Sequence, residues 1–275
     1  MSKMGTLYAP GNSVFHRMDG SIKMLLFAAW TIATFMFLDL RVFIVMLLVG
    51  TVLLLSAKIP FRQIRVIFWV MIVFNVFNTA FILLITPVYG TELTGTNTPV
   101  LNIGYNTINL ETIFYVLTLT AKYLTLLPIS LLFIFTTHPS RFASSLSRIG
   151  IPYKIAYAVN IAFRYIPDIQ AEFRSITNSM QMRGLGFRKG DAPFLQRVKN
   201  VTSIAFPMLY SSLQRIEVVT NAMELRGFGK HKKRTWYAME QLRAIDYTVG
   251  MLSVLLIVGS IVLKVAVLKG FWYPL

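Results

Sequence analysis

Residues 177–186 read TNSMQMRGLG, and residues 220–229 read TNAMELRGFG. Six of the ten positions are identical, the other four are conservative, and the two copies lie 43 residues apart without a gap. A duplication at a fixed spacing predicts one supersecondary unit that is used twice. Each copy carries Arg-Gly near its end, which suggests that the unit ends in Arg-Gly in both places.

The residues before each Arg-Gly pair predict a long amphipathic helix. Apolar residues recur there every three or four positions and form a narrow seam, which suits packing on another helix. The seam of the first helix consists of Ile166, Ile169, Phe173, Ile176 and Met180, and that of the second consists of Leu209, Leu213, Ile216, Val219 and Met223.

The Arg-Gly pairs predict the ends of these helices. Gly184 and Gly227 favour termination because glycine accepts the left-handed conformation that caps the last carbonyls. Arg183 and Arg226 suit the negative end of the helix dipole, and each is predicted at a helix tip beyond the seam. A plain C-terminal cap is the alternative, but capping does not require Thr-Asn and Met at the same distances upstream in both copies.

The composition predicts an all-α integral membrane protein. Apolar residues make up 55% of the chain and the mean hydropathy is +0.62, values typical of a membrane protein. The absence of cysteine excludes disulfides and thiolate metal sites. The net charge of +16 would fit nucleic acid, but its distribution argues for membrane topology and an acidic partner instead.

Five apolar stretches predict about five transmembrane helices, at residues 24–38, 42–57, 66–89, 112–137 and 247–268. The first two are shorter than the roughly 20 residues that a spanning helix needs, so we predict a tight hairpin extended by snorkelling Lys and Arg side chains. Lys122 is the one charge well inside a span. Intramembrane charges suggest function; snorkelling, or facing the bundle interior, is the alternative.

The distribution of Lys and Arg predicts the orientation. Residues 1–23 and 58–65 together carry six, residues 138–246 carry seventeen, and residues 87–111 carry none. The positive-inside rule then places the N-terminus inside and the C-terminus outside. We predict three parts: residues 1–137 with the first four spans, a cytoplasmic region at 138–246 with the duplicated motif, and residues 247–275 with the last span.

The cytoplasmic region is predicted to contain two long helices, with bends or interruptions at the two internal prolines. The first runs from Tyr153 to Arg183 around Pro167, and the second from about Pro193 to Arg226 around Pro207. A short amphipathic helix is predicted before them at 141–149. The basic run at 230–234 suggests a contact with anionic lipid, with a solvated loop as the alternative.

These motifs together resemble the transmembrane T component of energy-coupling factor (ECF) vitamin and metal transporters. That family usually shows Ala-Arg-Gly at both positions, so Met182 and Leu225 stand where alanine is usual. The run from Tyr8 through Asp19 resembles its N-terminal signature, although Gly20-Ser21 stands where Pro-Arg is common. Residues 164–167 (RYIP) resemble a further element, and the resemblance covers nearly the whole chain.

The resemblance implies a non-catalytic subunit in the cell membrane of a prokaryote, with two ABC-type ATPases and one membrane-embedded substrate-binding S component as partners. It assigns ATPase docking to Met182, Arg183, Gly184, Leu225, Arg226 and Gly227. It makes the two seams candidates for crossing each other and for presenting a surface to the S component. It implies that ATP and magnesium belong to the ATPases, that this chain holds no cofactor, and that the substrate is a vitamin or metal ion set by the S component.

Two rival classes fit the sequence less well. A stand-alone secondary transporter would usually carry intramembrane acids or paired broken spans, and a polytopic membrane enzyme would carry clustered Asp, Glu or His. The chain contains no phosphate-binding loop of the GxxxxGK(S/T) type, and its three histidines are too dispersed to suggest a metal site. Neither rival class accounts for the doubled Arg-Gly ends.

Overall fold

The structure is a computed structural model that describes residues 8–86, 89–96, 98–103, 106–187, 190, 193–231, 235–236, 241–266 and 273–274. The chain divides into two compact units. Among the described residues, the larger unit holds 8–138 and 241–274, and the smaller holds 139–236. Residues 232–234 of the basic run, Pro87 and the last two residues of the predicted fifth span lie outside the described residues.

In chain order the described elements are α1 (Val14–Arg17), α2 (Gly20–Met36), α3 (Leu40–Ser56), α4 (Phe61–Ile85), α5 (Tyr89–Thr94), β1 (Pro99–Ile103), β2 (Asn106–Asn109), α6 (Leu110–Thr136), α7 (Pro139–Leu146), α8 (Tyr153–Met182), α9 (Phe194–Leu225) and α10 (Ala244–Ala266). By length and composition α4, α6 and α10 can cross a membrane, whereas α2 and α3 are shorter apolar helices of 17 residues each. At 1.5 Å per residue the shorter helices are roughly 25 Å long. The predicted class, an all-α membrane protein, is confirmed.

Helix α6 is the centre of the larger unit and packs against α2, α3 and α4. Gly50 lets α3 approach closely, because a Cβ at this position would lie 3.3 Å from both Pro128 of α6 and Trp30 of α2. The Trp30 indole donates to the carbonyl of Thr125 at 3.1 Å. A small residue on α3 and a large one on α2 therefore fix both short helices to α6.

The N-terminal signature folds against the end of α6. The backbone amide of Ala9 donates to Phe135 O at 3.0 Å, and Lys23 Nζ donates to Thr136 O at 2.8 Å. The last carbonyls of a helix have no partner within the helix and carry partial negative charge. The buried Lys23 therefore provides a partner for the last carbonyls of α6 and offsets their partial negative charge.

The His16 side chain stabilises the N-terminal segment through two hydrogen bonds. Its Nε2 lies 2.9 Å from Ala9 O and its Nδ1 lies 2.7 Å from Ser13 Oγ. Because a carbonyl oxygen can only accept, Nε2 must carry the proton, and in the neutral ring Nδ1 then accepts from the Ser13 hydroxyl. Burial lowers the pKa of His16 and the charge of Lys23 lowers it further, while the bond to Ala9 acts in the opposite direction.

A buried carboxylate joins the first and last apolar helices. Asp246 accepts from the backbone amide of Asp19 at 3.0 Å and from that of Arg243 at 2.8 Å. Asp19 in turn caps α2, since its Oδ1 accepts from Ser21 N at 2.8 Å. The aspartate of the N-terminal signature is thus a helix cap, and α2 and α10 pack together beyond it.

The segment at 87–111, for which the sequence predicts no regular element between the third and fourth spans, contains secondary structure. It holds α5 and an antiparallel hairpin of β1 and β2, with Leu101 opposite Ile108. Glu111 at the start of α6 accepts from both the amide and the hydroxyl of Thr98. Strands of four and five residues have too short a pattern to stand out from a Thr- and Asn-rich loop.

Lys122 lies among the helices of the larger unit. Its Nζ is 5.0 Å from the centroid of the Phe35 ring, which is close enough for a cation–π interaction. The side chain is half-buried. Because Phe35 is itself 64% exposed, this contact does not bury the charge, and a functional role for Lys122 stays a prediction.

The smaller unit contains the two long helices, of 30 and 32 residues. The two long helices predicted from the sequence are confirmed, and neither proline interrupts its helix, because α8 continues through Pro167 and α9 through Pro207. An internal proline removes one backbone hydrogen bond and crowds one carbonyl. In helices this long that local loss bends a helix more readily than it ends one. The short helix predicted at 141–149 is present as α7, followed by a turn.

Candidate functional site

The two Arg-Gly sequences end their helices with the same backbone geometry. After α8, Gly184 N donates to Gln181 O at 2.9 Å and Leu185 N donates to Met180 O at 3.1 Å. After α9, Gly227 N donates to Glu224 O at 2.8 Å and Phe228 N donates to Met223 O at 3.0 Å. This pair of bonds defines a Schellman motif, in which the residue after the cap adopts a left-handed conformation.

Gly184 and Gly227 take that left-handed place, with φ of +86° and +67°. A side chain there would be strained. The cap position itself is occupied by Arg183 in one copy and Arg226 in the other. The glycines therefore make the turn, and the arginines stand at the last point of each helix.

Both helix ends present an apolar side chain and a cation to solvent. We call Met182, Arg183 and Gly184 tip 1, and Leu225, Arg226 and Gly227 tip 2. Met182 is 91% exposed and Leu225 is 90% exposed, and both arginines are exposed. A rigid turn that holds a large apolar side chain in water is typical of an interaction surface.

Each tip is anchored by the beginning of the other long helix. At tip 1, Asn200 of α9 donates from Nδ2 to Gly186 O at 2.8 Å. At tip 2, Phe228 packs on Tyr157 and Tyr153 of α8, with ring centroids 4.9 and 5.6 Å apart. Since α8 and α9 hold each other's ends in this way, neither tip is a free helix terminus.

One ion pair links the middle of the two helices. Arg215 of α9 donates to Glu172 Oε2 of α8 at 2.7 Å, and its guanidinium carbon lies 5.5 Å from the Tyr165 ring centroid. Glu172 and Arg215 are 43 residues apart, which is the spacing of the repeat. Neither residue was predicted from the sequence, although opposite charges at equivalent repeat positions are a signal that indicates such a pair.

The predicted seams are only partly covered within the described residues. Half-buried members are Ile166, Ile176, Met180, Val219 and Met223, and exposed members are Ile169, Phe173, Leu209, Leu213 and Ile216. Leu209, Leu213 and Ile216 are 60–63% exposed and follow one face of α9. The structure therefore leaves much of the α9 seam open rather than packed on α8.

Comparison with known proteins agrees with these features. Residues 11–237 match the model of the CbiQ family, described as cobalt transport protein. The chain is similar to the energy-coupling factor transporter transmembrane protein EcfT of Brevibacillus brevis, with 28% identity over 76% of this chain and 78% of the relative. EcfT of Listeria innocua is 24% identical over 96% of both chains, and EcfT of Thermosediminibacter oceani is 24% identical over 92% of this chain and 95% of the relative.

The family match covers most of the chain, and the relatives extend across both compact units. The resemblance inferred from the duplicated motif is thereby confirmed. The chain is a non-catalytic transmembrane component of a prokaryotic membrane transporter. It belongs to the CbiQ family, among the transmembrane T components of energy-coupling factor transporters.

Proposed function

We propose that this chain couples ATP hydrolysis by two partner ABC-type ATPases to substrate uptake through a membrane-embedded S component. Tip 1 docks on one ATPase and tip 2 on the other. ATP and magnesium are bound by the ATPases, and this chain supplies no cofactor. The observation that supports the proposal is the pair of matched, exposed Arg tips on two helices that anchor each other's ends.

The chemistry of the tips fits docking into acidic or carbonyl-lined grooves. An arginine fork binds carboxylates and carbonyls through two parallel hydrogen bonds and stays charged when partly desolvated. Met182 or Leu225 beside it adds an apolar contact that excludes water from the same groove. Gly184 and Gly227 add no side-chain bulk, so the turn itself can enter.

The mechanism follows from the links between α8 and α9. ATP binding closes the ATPase pair and moves both tips. Because the Glu172–Arg215 pair and the two anchored turns join the helices, that motion passes into the two helices together. Their movement reorients the S component, which then releases its vitamin or metal ion. The S component sets the substrate.

The open apolar face of α9 is the surface we assign to the S component. Leu209, Leu213 and Ile216 lie along it with most of their side-chain surface exposed. A contiguous exposed apolar stripe favours a protein or lipid partner over water. We place the N-terminus and the tips on the cytoplasmic side and the C-terminus outside, in accord with the distribution of Lys and Arg.

Charge reversal at the tips tests this proposal. Arg183→Glu and Arg226→Glu, singly and together, are expressed with the ATPases and the S component. Truncating one partner of a buried charged pair costs about 2–5 kcal/mol, so each single variant should lose one ATPase contact and the double variant both. The readouts are co-purification in mild detergent and ATP-dependent uptake.

Arg174→Glu is the matched control, because Arg174 is an exposed arginine on α8 away from the tip. It should leave co-purification and uptake unchanged. Wild-type co-purification and uptake for both tip variants would refute the docking role. Equal loss in Arg174→Glu would show that general charge, rather than the tips, controls assembly.

A further inference from the structure

A pocket of about 280 Å³ opens beside tip 2. It is lined by Tyr153, Arg226, Gly227, Lys230 and His231. Lys154 does not line the pocket but lies beside the same turn, since a Cβ on Gly229 would lie 3.8 Å from Lys154 Nζ. The beginning of α8 and the turn after α9 therefore enclose one small space from two sides.

The side chains around this pocket are mainly hydrogen-bond donors with positive charge. Arg226 and Lys230 are cations of the lining, Lys154 is a third cation beside the turn, and Tyr153 and His231 complete the lining. Among the residues that the structure describes, no carboxylate forms an ion pair with any of the three cations. Like charges held close together repel one another and attract an anion.

The frame of the pocket is fixed by packing rather than by the cations themselves. Tyr153 is buried, and its ring meets Phe228 edge to face. The Schellman motif after α9 fixes Gly227 and Phe228, and Lys230 N donates to Gly227 O at 3.4 Å. The backbone around the pocket is therefore set before a ligand enters, which lowers the conformational entropy that binding costs.

We propose that this pocket binds a phosphate group. A phosphate carries several oxygens and more than one negative charge, which matches an arginine fork, two ammonium groups and a hydroxyl better than a single carboxylate does. The group can come from inorganic phosphate or from the headgroup of an anionic lipid. When bound, it neutralises the surroundings of Arg226, so it adjusts tip 2 without touching tip 1.

Phosphate binding is a property of the isolated chain and does not depend on the ATPases, so it is measured without them. The full-length chain in detergent is titrated with inorganic phosphate by calorimetry at constant ionic strength, because screening alone changes weak charge interactions. The test variant is the double substitution Lys154→Gln and Lys230→Gln, which leaves Arg226 in place. Lys199→Gln is the control, since Lys199 is an exposed lysine of α9 outside the pocket.

The double variant should bind phosphate about tenfold or more weakly, because it removes two charge-assisted contacts, and the control should bind as the wild type does. A second arm measures binding of the chain to phosphatidylcholine vesicles with and without phosphatidic acid. A preference for phosphatidic acid that is lost only in the double variant assigns the site to the lipid headgroup. If instead the double variant loses binding to inorganic phosphate and shows no change with the vesicles, the site is assigned to the free ion.

The proposal is overturned if the wild type and the double variant behave alike in both arms, including the case in which neither binds. It is also overturned if Lys199→Gln weakens binding as much as the double variant. Because Arg226 is intact in all three proteins, a failure of this site leaves the docking of tip 2 to its own test.

Discussion

Reversing the charges of Glu172 and Arg215 tests how α8 and α9 are joined. Arg215→Glu places two carboxylates where one ion pair stands, and Glu172→Arg places two guanidinium groups there. The double variant restores opposite charges in exchanged positions. We expect each single reversal to destabilise the smaller unit and the double reversal to recover part of the loss.

The magnitude follows from the geometry of the pair. The donor–acceptor distance is 2.7 Å, and the side chains of Glu172 and Arg215 are 16% and 33% exposed. A hydrogen bond to a charged group contributes about 1.5–3 kcal/mol, and solvent screening of the exposed third of Arg215 reduces this to about 1–2 kcal/mol. Exchange also removes the contact of Arg215 with the Tyr165 ring, which is worth about 0.5–1 kcal/mol, so recovery should be incomplete.

The assay is a double-mutant cycle on the full-length chain. Glu172→Gln, Arg215→Gln and the double neutral variant are unfolded in mixed micelles, and the coupling energy is taken from the four free energies of unfolding. We expect a coupling of about 1–2 kcal/mol. The charge-reversal variants Arg215→Glu, Glu172→Arg and their double exchange are scored for ATP-dependent uptake in the assembled transporter, where the exchanged pair should outperform either single reversal. Coupling within about 0.3 kcal/mol of zero would refute the role of this pair in joining the helices.

Three further predictions concern the larger unit. Burial keeps the pKa of His16 below its ordinary value of about 6.5. The neutral ring therefore stabilises the fold above that pH, and the free energy of unfolding falls as the pH drops below it. Unfolding at pH 7.5 and 5.5 should show this loss, and His16→Gln should reduce the difference between the two pH values. Gly90→Ala should lower the melting temperature, because a Cβ there overlaps the backbone at the start of α6, whereas Gly259→Ala meets open space and should not. Asp246→Ala leaves the buried backbone amide of Asp19 and the part-buried amide of Arg243 without their acceptor. The buried amide alone should cost about 1–3 kcal/mol, and wild-type stability would contradict this.

The sequence predicted those features that depend on period and composition. The five apolar stretches correspond to α2, α3, α4, α6 and α10. They could be predicted because helices that face lipid must be apolar over most of their length. The ends of α8 and α9 at the two arginines were also predictable, since glycine in the left-handed conformation is a local requirement that a sequence shows directly. The docking role of the tips stays a prediction until the partners are tested.

Features that depend on distant residues were not predictable in the same way. Buried Lys23 donates a hydrogen bond to a carbonyl 113 residues away, at the end of α6. No local sequence pattern predicts a contact over that distance. The continuity of α8 through Pro167 depends on whether neighbouring turns tolerate one lost bond, which composition does not reveal. The β1–β2 hairpin is held partly by Glu111 and Thr98, a contact between residues that separately look like ordinary loop and helix-cap residues.

The repeat explains why the smaller unit can act as one piece. Tyr157, which packs on the turn after α9, and Asn200, which bonds the turn after α8, are 43 residues apart. The same spacing relates Glu172 to Arg215 and tip 1 to tip 2. Each repeat therefore supplies a tip, a partner in the central ion pair and an anchor for the other repeat's tip. A force on either tip would therefore reach the beginning of the opposite helix, which is what the proposed docking of the two tips on two ATPases requires.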